Sequence, residues 1–290
     1  MGSNAWAAVD LSRAQRILGY DADVCTFNPD PYGYESDKIV RPTEQKANVK
    51  TVLSVLYLLG QLDYDLYHRH GNFVKWGLEG EILRLFRKKQ IIHYHGSEVR
   101  GRRVRSRRKC FVSTPDLLRY VDNSIWIPTA VRPDPFLSIP FCPGNELVVG
   151  YYRPSYGRYV PMEGLTELGR MIKLKPLEKT PHSRVAEYYS QIDVWVDRFG
   201  LDSYGLCAVE AAMSGKPVIA QIGDRELAQM DNCPFINIRK EVEIRRHLEV
   251  LASNVNLRRE LGELARNYAV RVHDWLRVAK LLTTEYEGLL

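Results

Sequence analysis

Apolar and polar positions follow two alternating patterns along most of the chain. Residues 5–18 space their apolar side chains as an amphipathic helix does, and residues 21–27 follow as a short apolar strand. The alternation continues through the predicted strands YDLYHRHG, QIIHYHGS, KCFVS and SIWIP. Short apolar strands that alternate with helices over short connections predict parallel sheets with helices on both faces.

A proline-rich passage divides this pattern into two halves. TAVRPDPFLSIPFCPGN, residues 129–145, contains four prolines and cannot form regular structure. The alternation resumes in the predicted strands ELVVGYY, MIKLKPL, IDVWVDR and KPVIAQI, with a helix near residues 163–172 and two helices at the end. We therefore predict an α/β protein of two doubly wound domains, residues 1–130 and 131–290.

Residues that follow the strands are the candidates for a site, because ligands of such sheets bind at the carboxyl ends of the strands. In LDSYGLCAVEAAMSGKPVIA, residues 201–220, Asp202 and Glu210 lie eight positions apart across the start of a helix. Free N–H groups at a helix start bind phosphate, and Gly205 permits close approach of the backbone. A carboxylate within the helix can accept hydrogen bonds from a ribose diol. These features together predict a sugar nucleotide site.

The same segment resembles a known family. DSYGLCAVEAAMSGKPVIA is similar to the acid-x7-Glu signature of GT-B retaining glycosyltransferases of family 4, and IIHYHGSE and FVSTPDLLRYV resemble segments of their first domain. The resemblance implies two Rossmann-like domains facing a cleft, the first on the acceptor side and the second binding the donor. The helix with Trp275 and Tyr286 would pack back on the first domain. Compared with the family, the first strand is missing and the second domain is shortened.

The resemblance also implies an activity and its residues. A sugar would move from a nucleoside diphosphate to the hydroxyl of an unknown glycan, lipid or small-molecule acceptor, with retention and without a cofactor or a metal. The catalytic residues would be His95 and Asp202, at the transferred sugar. The donor would be bound by Glu210 at the ribose, by the N–H groups of Gly205 and Leu206 at the diphosphate, and by Arg153 and Arg158 as its cations.

Several alternatives remain open at this stage. Glu163-Gly164 stands where the family has Lys-Gly, which favours a catalytically inactive relative that binds a sugar nucleotide or serves as a scaffold. A third hypothesis is a sugar-nucleotide epimerase of the same fold. Asp202 is also an ordinary turn former. We expect His93 to pack inside or face a helix. His68 and His70 would bind a metal only with a third ligand, which the sequence does not indicate.

The composition and the charge indicate where the protein is located and which part of its surface could bind a partner. Five scattered cysteines and the lack of an apolar run of about 20 residues favour a cytoplasmic protein. The net charge is +6, and RGRRVRSRRK, residues 100–109, carries seven basic side chains. This run is either a solvated loop or a surface for an anionic membrane, which would make the protein peripheral. Phe111 is the only aromatic nearby, so nucleic acid is not the expected partner.

Overall fold

The computed structural model describes residues 5–26, 30–39, 47–71, 78–152 and 172–289. The helices are α1 (Ala5–Ile17), α2 (Ala47–Leu59), α3 (Leu78–Leu85), α4 (Asp134–Leu137), α5 (Val185–Ser190), α6 (Leu206–Met213), α7 (Asp224–Leu227), α8 (Glu243–Ser253), α9 (Val255–His273) and α10 (Trp275–Glu287). The strands are β1 (Cys25–Thr26), β2 (Lys38–Ile39), β3 (Leu66–His70), β4 (Lys89–Tyr94), β5 (Cys110–Val112), β6 (Ser124–Trp126), β7 (Leu147–Tyr152), β8 (Ile172–Leu177), β9 (Val194–Val196), β10 (Val218–Ala220) and β11 (Ile236–Asn237). Short 3-10 turns occupy Pro115–Arg119 and His182–Arg184.

The chain forms two compact units. The first unit comprises Met1–Ala130 together with Trp275–Leu290, and the second comprises Val131–Asp274. Strands alternate with helices along most of the described chain, and every strand pair among the described residues is parallel, which confirms the predicted parallel sheets. None of the described helices combines the length and the apolar character that a bilayer crossing requires.

The main sheet of the first unit has the strand order β3-β4-β5-β6, and β1 pairs with β2 separately. Its core lies against α1 and α10. Helix α10 buries Trp275, Val278, Ala279 and Leu282, which lie on one face at helical spacing. They form one cluster with Leu11 and Ala14 of α1 and with Ile91 and Phe111 of the sheet. The two helices therefore cover one face of this sheet.

The second unit has the strand order β11-β10-β9-β7-β8. Its first strand, β7, lies between the second, β8, and the third, β9. In chain order this is 2-1-3-4-5, the flavodoxin-like arrangement, whose topological switch point falls between the first and third strands. The buried side chains of Val149, Val194 and Ile219 join Leu248 and Leu251 of α8 in one core. The fold thus marks the carboxyl ends of β7 and β9 as the natural ligand position.

The end of the second unit differs from the sequence prediction. We expected two final helices, whereas the described chain ends in three, because α8 precedes α9 and is separated from it at Asn254. The Asn254 side chain accepts a hydrogen bond from the Leu257 N–H at 2.9 Å and caps α9. Strand β11 was also not predicted, and the short helix α4 lies within the proline-rich passage that was expected to lack regular structure. The helix expected near residues 163–172 lies outside the described residues.

Candidate functional site

Polar residues gather at the carboxyl ends of β7 and β9. Asp197 and Arg198 follow directly after β9, and α6 begins shortly afterwards behind its cap residue Gly205. Glu210 lies further along the same helix. We call Asp197, Arg198, Gly205 and Glu210 the α6 site. Because β7 and β9 flank the switch point, this site occupies the position where the topology favours a ligand.

Asp197 caps the start of α6 from within the protein. Its side chain is 2% exposed. Its Oδ2 accepts a hydrogen bond from the Gly205 N–H at 2.7 Å, and the Trp195 Nε1 lies 3.4 Å from Oδ1. The Gly205 N–H, which the sequence analysis assigned to a diphosphate, is therefore bonded to a carboxylate in this structure. Leu206 is the first residue of the helix, and its N–H belongs to the turn that lacks intrahelical acceptors.

Arg198 places a positive charge beside the same helix start. Its guanidinium carbon lies 5.8 Å from the centre of the Tyr152 ring, at the end of β7. Its Nη2 is 3.1 Å from the point that a Cβ on Gly205 would occupy. Arg198 was not among the predicted residues, because the family resemblance places the phosphate-binding cations after β7. The signal was available, since Arg198 follows an apolar strand by two positions.

Glu210 is buried within the second unit. Its side chain projects from α6 and the residue is 3% exposed. The Tyr189 hydroxyl lies 2.9 Å from Glu210 Oε2 and 3.0 Å from the carbonyl oxygen of Cys207. The Nε2 of His182 is 4.0 Å from Glu210 Oε1. Burial, followed by the charge of Glu210, raises the pKa of Tyr189 well above its ordinary value. Tyr189 therefore stays a neutral hydroxyl beside an acceptor carboxylate.

Asp202 lies in the loop between β9 and α6 with a left-handed backbone, φ 55°. Its carbonyl oxygen accepts a hydrogen bond from the Gly223 N–H at 3.1 Å. Left-handed backbone is uncommon except for glycine, asparagine and aspartate, so the local conformation gives a structural reason for an aspartate here. Its proposed contact with the transferred sugar stays a prediction.

His95 belongs to the first unit, directly after β4. Its Nε2 lies 2.8 Å from the Nδ1 of His70, and its backbone N–H donates to Glu98 Oε2 at 3.1 Å. Burial, followed by the charge of His70, lowers the pKa of His95 well below its ordinary value. His93 is buried, as expected. The structure places the ring nitrogens of His93 beside those of His68 and His70.

The remaining predicted residues do not enter the described site. Arg153 and Arg158, and Glu163 with them, lie outside the described residues. In the basic run, the guanidinium of Arg100 donates two hydrogen bonds to the carboxylate of Asp116, Nε to Oδ2 at 2.7 Å and Nη2 to Oδ1 at 3.1 Å. Arg100 therefore stabilises the fold of the first unit. Ion pairs also join Arg103 to Asp122 and Lys109 to Glu285. The basic residues of the run whose side chains are exposed and not in these pairs are Arg102, Arg105, Arg107 and Arg108.

Solved structures share this architecture over nearly the whole chain. A glycosyltransferase from Rickettsia africae superposes with a TM-score of 0.68 at 11% identity, covering 99% of this chain and 95% of that one. HepE from Anabaena, in complex with UDP and glucose, gives 0.67 at 12% identity over 99% and 96%. Sucrose-phosphate synthase from Thermosynechococcus elongatus gives 0.64 at 18% identity over 96% and 91%.

The chain has the GT-B fold. This follows from the two units of parallel sheet and from the extent of these superpositions, and it confirms the predicted fold class. The sequence itself matches no protein-family model and no curated protein. At identities of 11–18% the likeness concerns the fold, so the activity has to be argued from the site.

Proposed function

We propose that this protein is a glycosyltransferase that moves a sugar from a nucleoside diphosphate to an acceptor hydroxyl, with retention of configuration. The observation that carries the proposal is the position of Glu210. A buried carboxylate projects from the helix that begins at the switch point of a GT-B unit. The neighbour HepE was solved with UDP and glucose, which supports a sugar nucleotide as the donor.

Glu210 has the capacity to bind a ribose diol in this arrangement. An ionised carboxylate accepts about four hydrogen bonds through its two oxygens. Tyr189 donates to Oε2, and Oε1 lies 4.0 Å from the Nε2 of His182. Tyr189 is fully buried, whereas His182 is half-buried. We infer that a ribose hydroxyl donates to Glu210 here, at about 1.5–3 kcal/mol for a hydrogen bond to a charged group.

The start of α6 and Arg198 would stabilise the diphosphate. The partial positive charge of a helix N-terminus and a guanidinium both favour the negative charge that grows on the leaving group. In the oxocarbenium-like transition state of glycosyl transfer, that charge increases as the glycosidic bond breaks. The protein would thus act by placing fixed positive charge at the leaving group. His95 and Asp202 are proposed to lie at the transferred sugar, and Arg153 or Arg158 to assist Arg198.

The direct test is donor turnover by the Glu210→Ala variant, measured as release of nucleoside diphosphate from a panel of sugar nucleotides. Loss of one charge-assisted hydrogen bond predicts a fall in turnover of about 10- to 100-fold. Glu187→Ala is the matched control, because Glu187 is an exposed glutamate on α5 and should leave turnover unchanged. Equal turnover by the wild type and a folded Glu210→Ala variant contradicts the assignment.

One observation favours a second candidate, an inactive GT-B protein that binds a sugar nucleotide or acts as a scaffold. The carboxylate of Asp197 already bonds the Gly205 N–H at 2.7 Å, and an acid there repels a phosphate. Calorimetry with nucleoside diphosphates separates the two candidates. Binding without turnover supports the inactive protein, and turnover excludes it.

A further inference from the structure

Four histidines form a single cluster on one face of the first unit's sheet. His68 and His70 alternate along β3, His93 lies on β4 directly opposite His70, and His95 follows β4. Residues two apart on a strand point to the same face, so all four rings meet. The ring centres of His68 and His70 are 4.3 Å apart, those of His93 and His95 4.5 Å, and those of His68 and His93 5.3 Å.

Hydrogen bonds orient two of the rings. The Nδ1 of His68 lies 2.5 Å from the hydroxyl oxygen of Tyr286 on α10, and the Nδ1 of His70 lies 2.8 Å from the Nε2 of His95. When each Nδ1–H donates in these bonds, the Nε2 of His68 and the Nε2 of His70 carry the lone pairs. A ligating histidine in a metal site is held in this way by a partner on its other nitrogen.

His93 is the most informative member of the cluster. It is 4% exposed, and its ring nitrogens make no hydrogen bond of normal geometry within the described chain, although the backbone of Val112 lies near them. A neutral imidazole carries one N–H and one lone pair, and leaving these polar atoms unpaired in a buried position is costly. The Nε2 of His68 is also buried without a partner within the described chain. These buried nitrogens point to a ligand that accepts a lone pair.

We propose that His68, His70 and His93 bind one divalent transition-metal ion of the zinc class. One ring nitrogen from each residue lies within 4.8 Å of those from the other two. Two nitrogens on a tetrahedral zinc ion, each about 2.0–2.1 Å from the metal, are about 3.4 Å apart. On binding, rotation of the rings about their side-chain bonds would bring the nitrogens to this spacing. An all-imidazole set suits zinc, copper or nickel and does not suit magnesium or calcium.

The surroundings provide for a fourth ligand. A cavity of about 10 Å³ is lined by His70, His93 and His95 together with Ser113, and it has room for about one water-sized species. A metal binds the neutral form of each imidazole. The site would hold three histidines and one water, with His95 and Tyr286 as positioning residues.

The test uses the full chain without an affinity tag, stripped with a chelator and titrated with Zn²⁺ and with Co²⁺. We expect one ion per chain, tetrahedral-type visible bands for Co²⁺, and a rise in Tm with Zn²⁺. The His93→Asn variant should lose all three signals. Tyr286→Phe removes only the oxygen beside His68 and should weaken Zn²⁺ binding about 10- to 100-fold. His247→Gln, a half-exposed histidine on α8 in the other unit, is the control and should bind as the wild type does.

Each result decides the proposal. Stoichiometric binding that is lost in His93→Asn and kept in His247→Gln supports the site. A wild type that binds no stoichiometric ion overturns it. So does an unchanged affinity in a His93→Asn variant whose circular dichroism shows a native fold. If His93→Asn does not fold, Tyr286→Phe decides, and an affinity equal to that of the wild type overturns the proposal.

Discussion

At the scale of single residues, Asp197 and Arg198 oppose each other at the start of α6. Asp197 is buried and bonded to the Gly205 N–H, while Arg198 extends over Tyr152 beside the same glycine. The negative group holds the helix end in place, and the positive group is the described cation nearest to it. A phosphate that approaches this helix therefore depends on Arg198 to outweigh Asp197.

This dependence predicts a selective loss in the Arg198→Ala variant. Its affinity for UDP should fall about 10-fold, because one charge-assisted contact to phosphate is removed. Its affinity for uridine, which has no phosphate, should not change. Both values can be measured by calorimetry.

The control for this prediction is Arg184→Ala. Arg184 is an exposed arginine that pairs with Glu187 at 3.2 Å. Its replacement by alanine lowers the net charge by the same amount as Arg198→Ala does, and it changes no residue of the α6 site. An equal loss of UDP affinity in both variants would show that Arg198 acts only through the overall charge of the protein.

At the scale of elements, helix α9 is held against the turn that follows α6. A Cβ on Gly262 of α9 would clash with the carbonyl oxygen of Gly215, because it would lie far closer than any normal contact. Only glycine permits this approach, because the atom in the way belongs to the backbone and cannot rotate aside. The packing of α9 thus supports the helix that carries Glu210.

The Gly262→Ala variant should consequently be less stable. The added methyl group forces α9 and the Gly215 turn apart, at a cost of about 1–3 kcal/mol in the free energy of unfolding. Denaturant unfolding measures this difference. Gly288→Ala is the control, since a Cβ there meets only the Glu285 carbonyl oxygen at 3.7 Å, an ordinary contact, and it should unfold as the wild type does.

The sequence predicted most of the elements because their signals are local. Apolar runs such as those of β7 and β9, and the spacing of α6, depend on neighbouring residues only. The break between α8 and α9 was not predicted. Both helices have apolar side chains at helical spacing, and only the side-chain cap at Asn254 separates them. Strand β11 was missed because two residues carry too short a pattern.

At the scale of the whole molecule, the chain builds two units, and each has its own parallel sheet and core. The closing helix α10 belongs to the first unit, where it packs with α1 and bonds His68 through Tyr286. The α6 site lies in the second unit and the histidine cluster in the first. The two proposals share His95, which bonds to His70, and otherwise rest on different residues. The Glu210 and His93 variants therefore test them separately.

The sequence predicted only part of the site. The acid-x7-Glu spacing located Glu210 on α6, because both ends of that pattern lie in one local segment. The partners of the site come from elsewhere along the chain. Tyr189 reaches Glu210 from α5, and His70 and His93 meet across 23 residues of sequence through the register of β3 and β4. Such contacts depend on strand order, which local patterns do not specify.

The central claim is that Glu210 holds the ribose of a nucleoside diphosphate, and a calorimetric cycle tests it most directly. UDP and 2′,3′-dideoxy-UDP are titrated into the wild type and into Glu210→Ala. The wild type should bind UDP about 10-fold more tightly than the dideoxy analogue, because only UDP donates ribose hydroxyls to the carboxylate. The variant should bind both ligands equally. A folded Glu210→Ala variant that still prefers UDP by the same factor would contradict the claim.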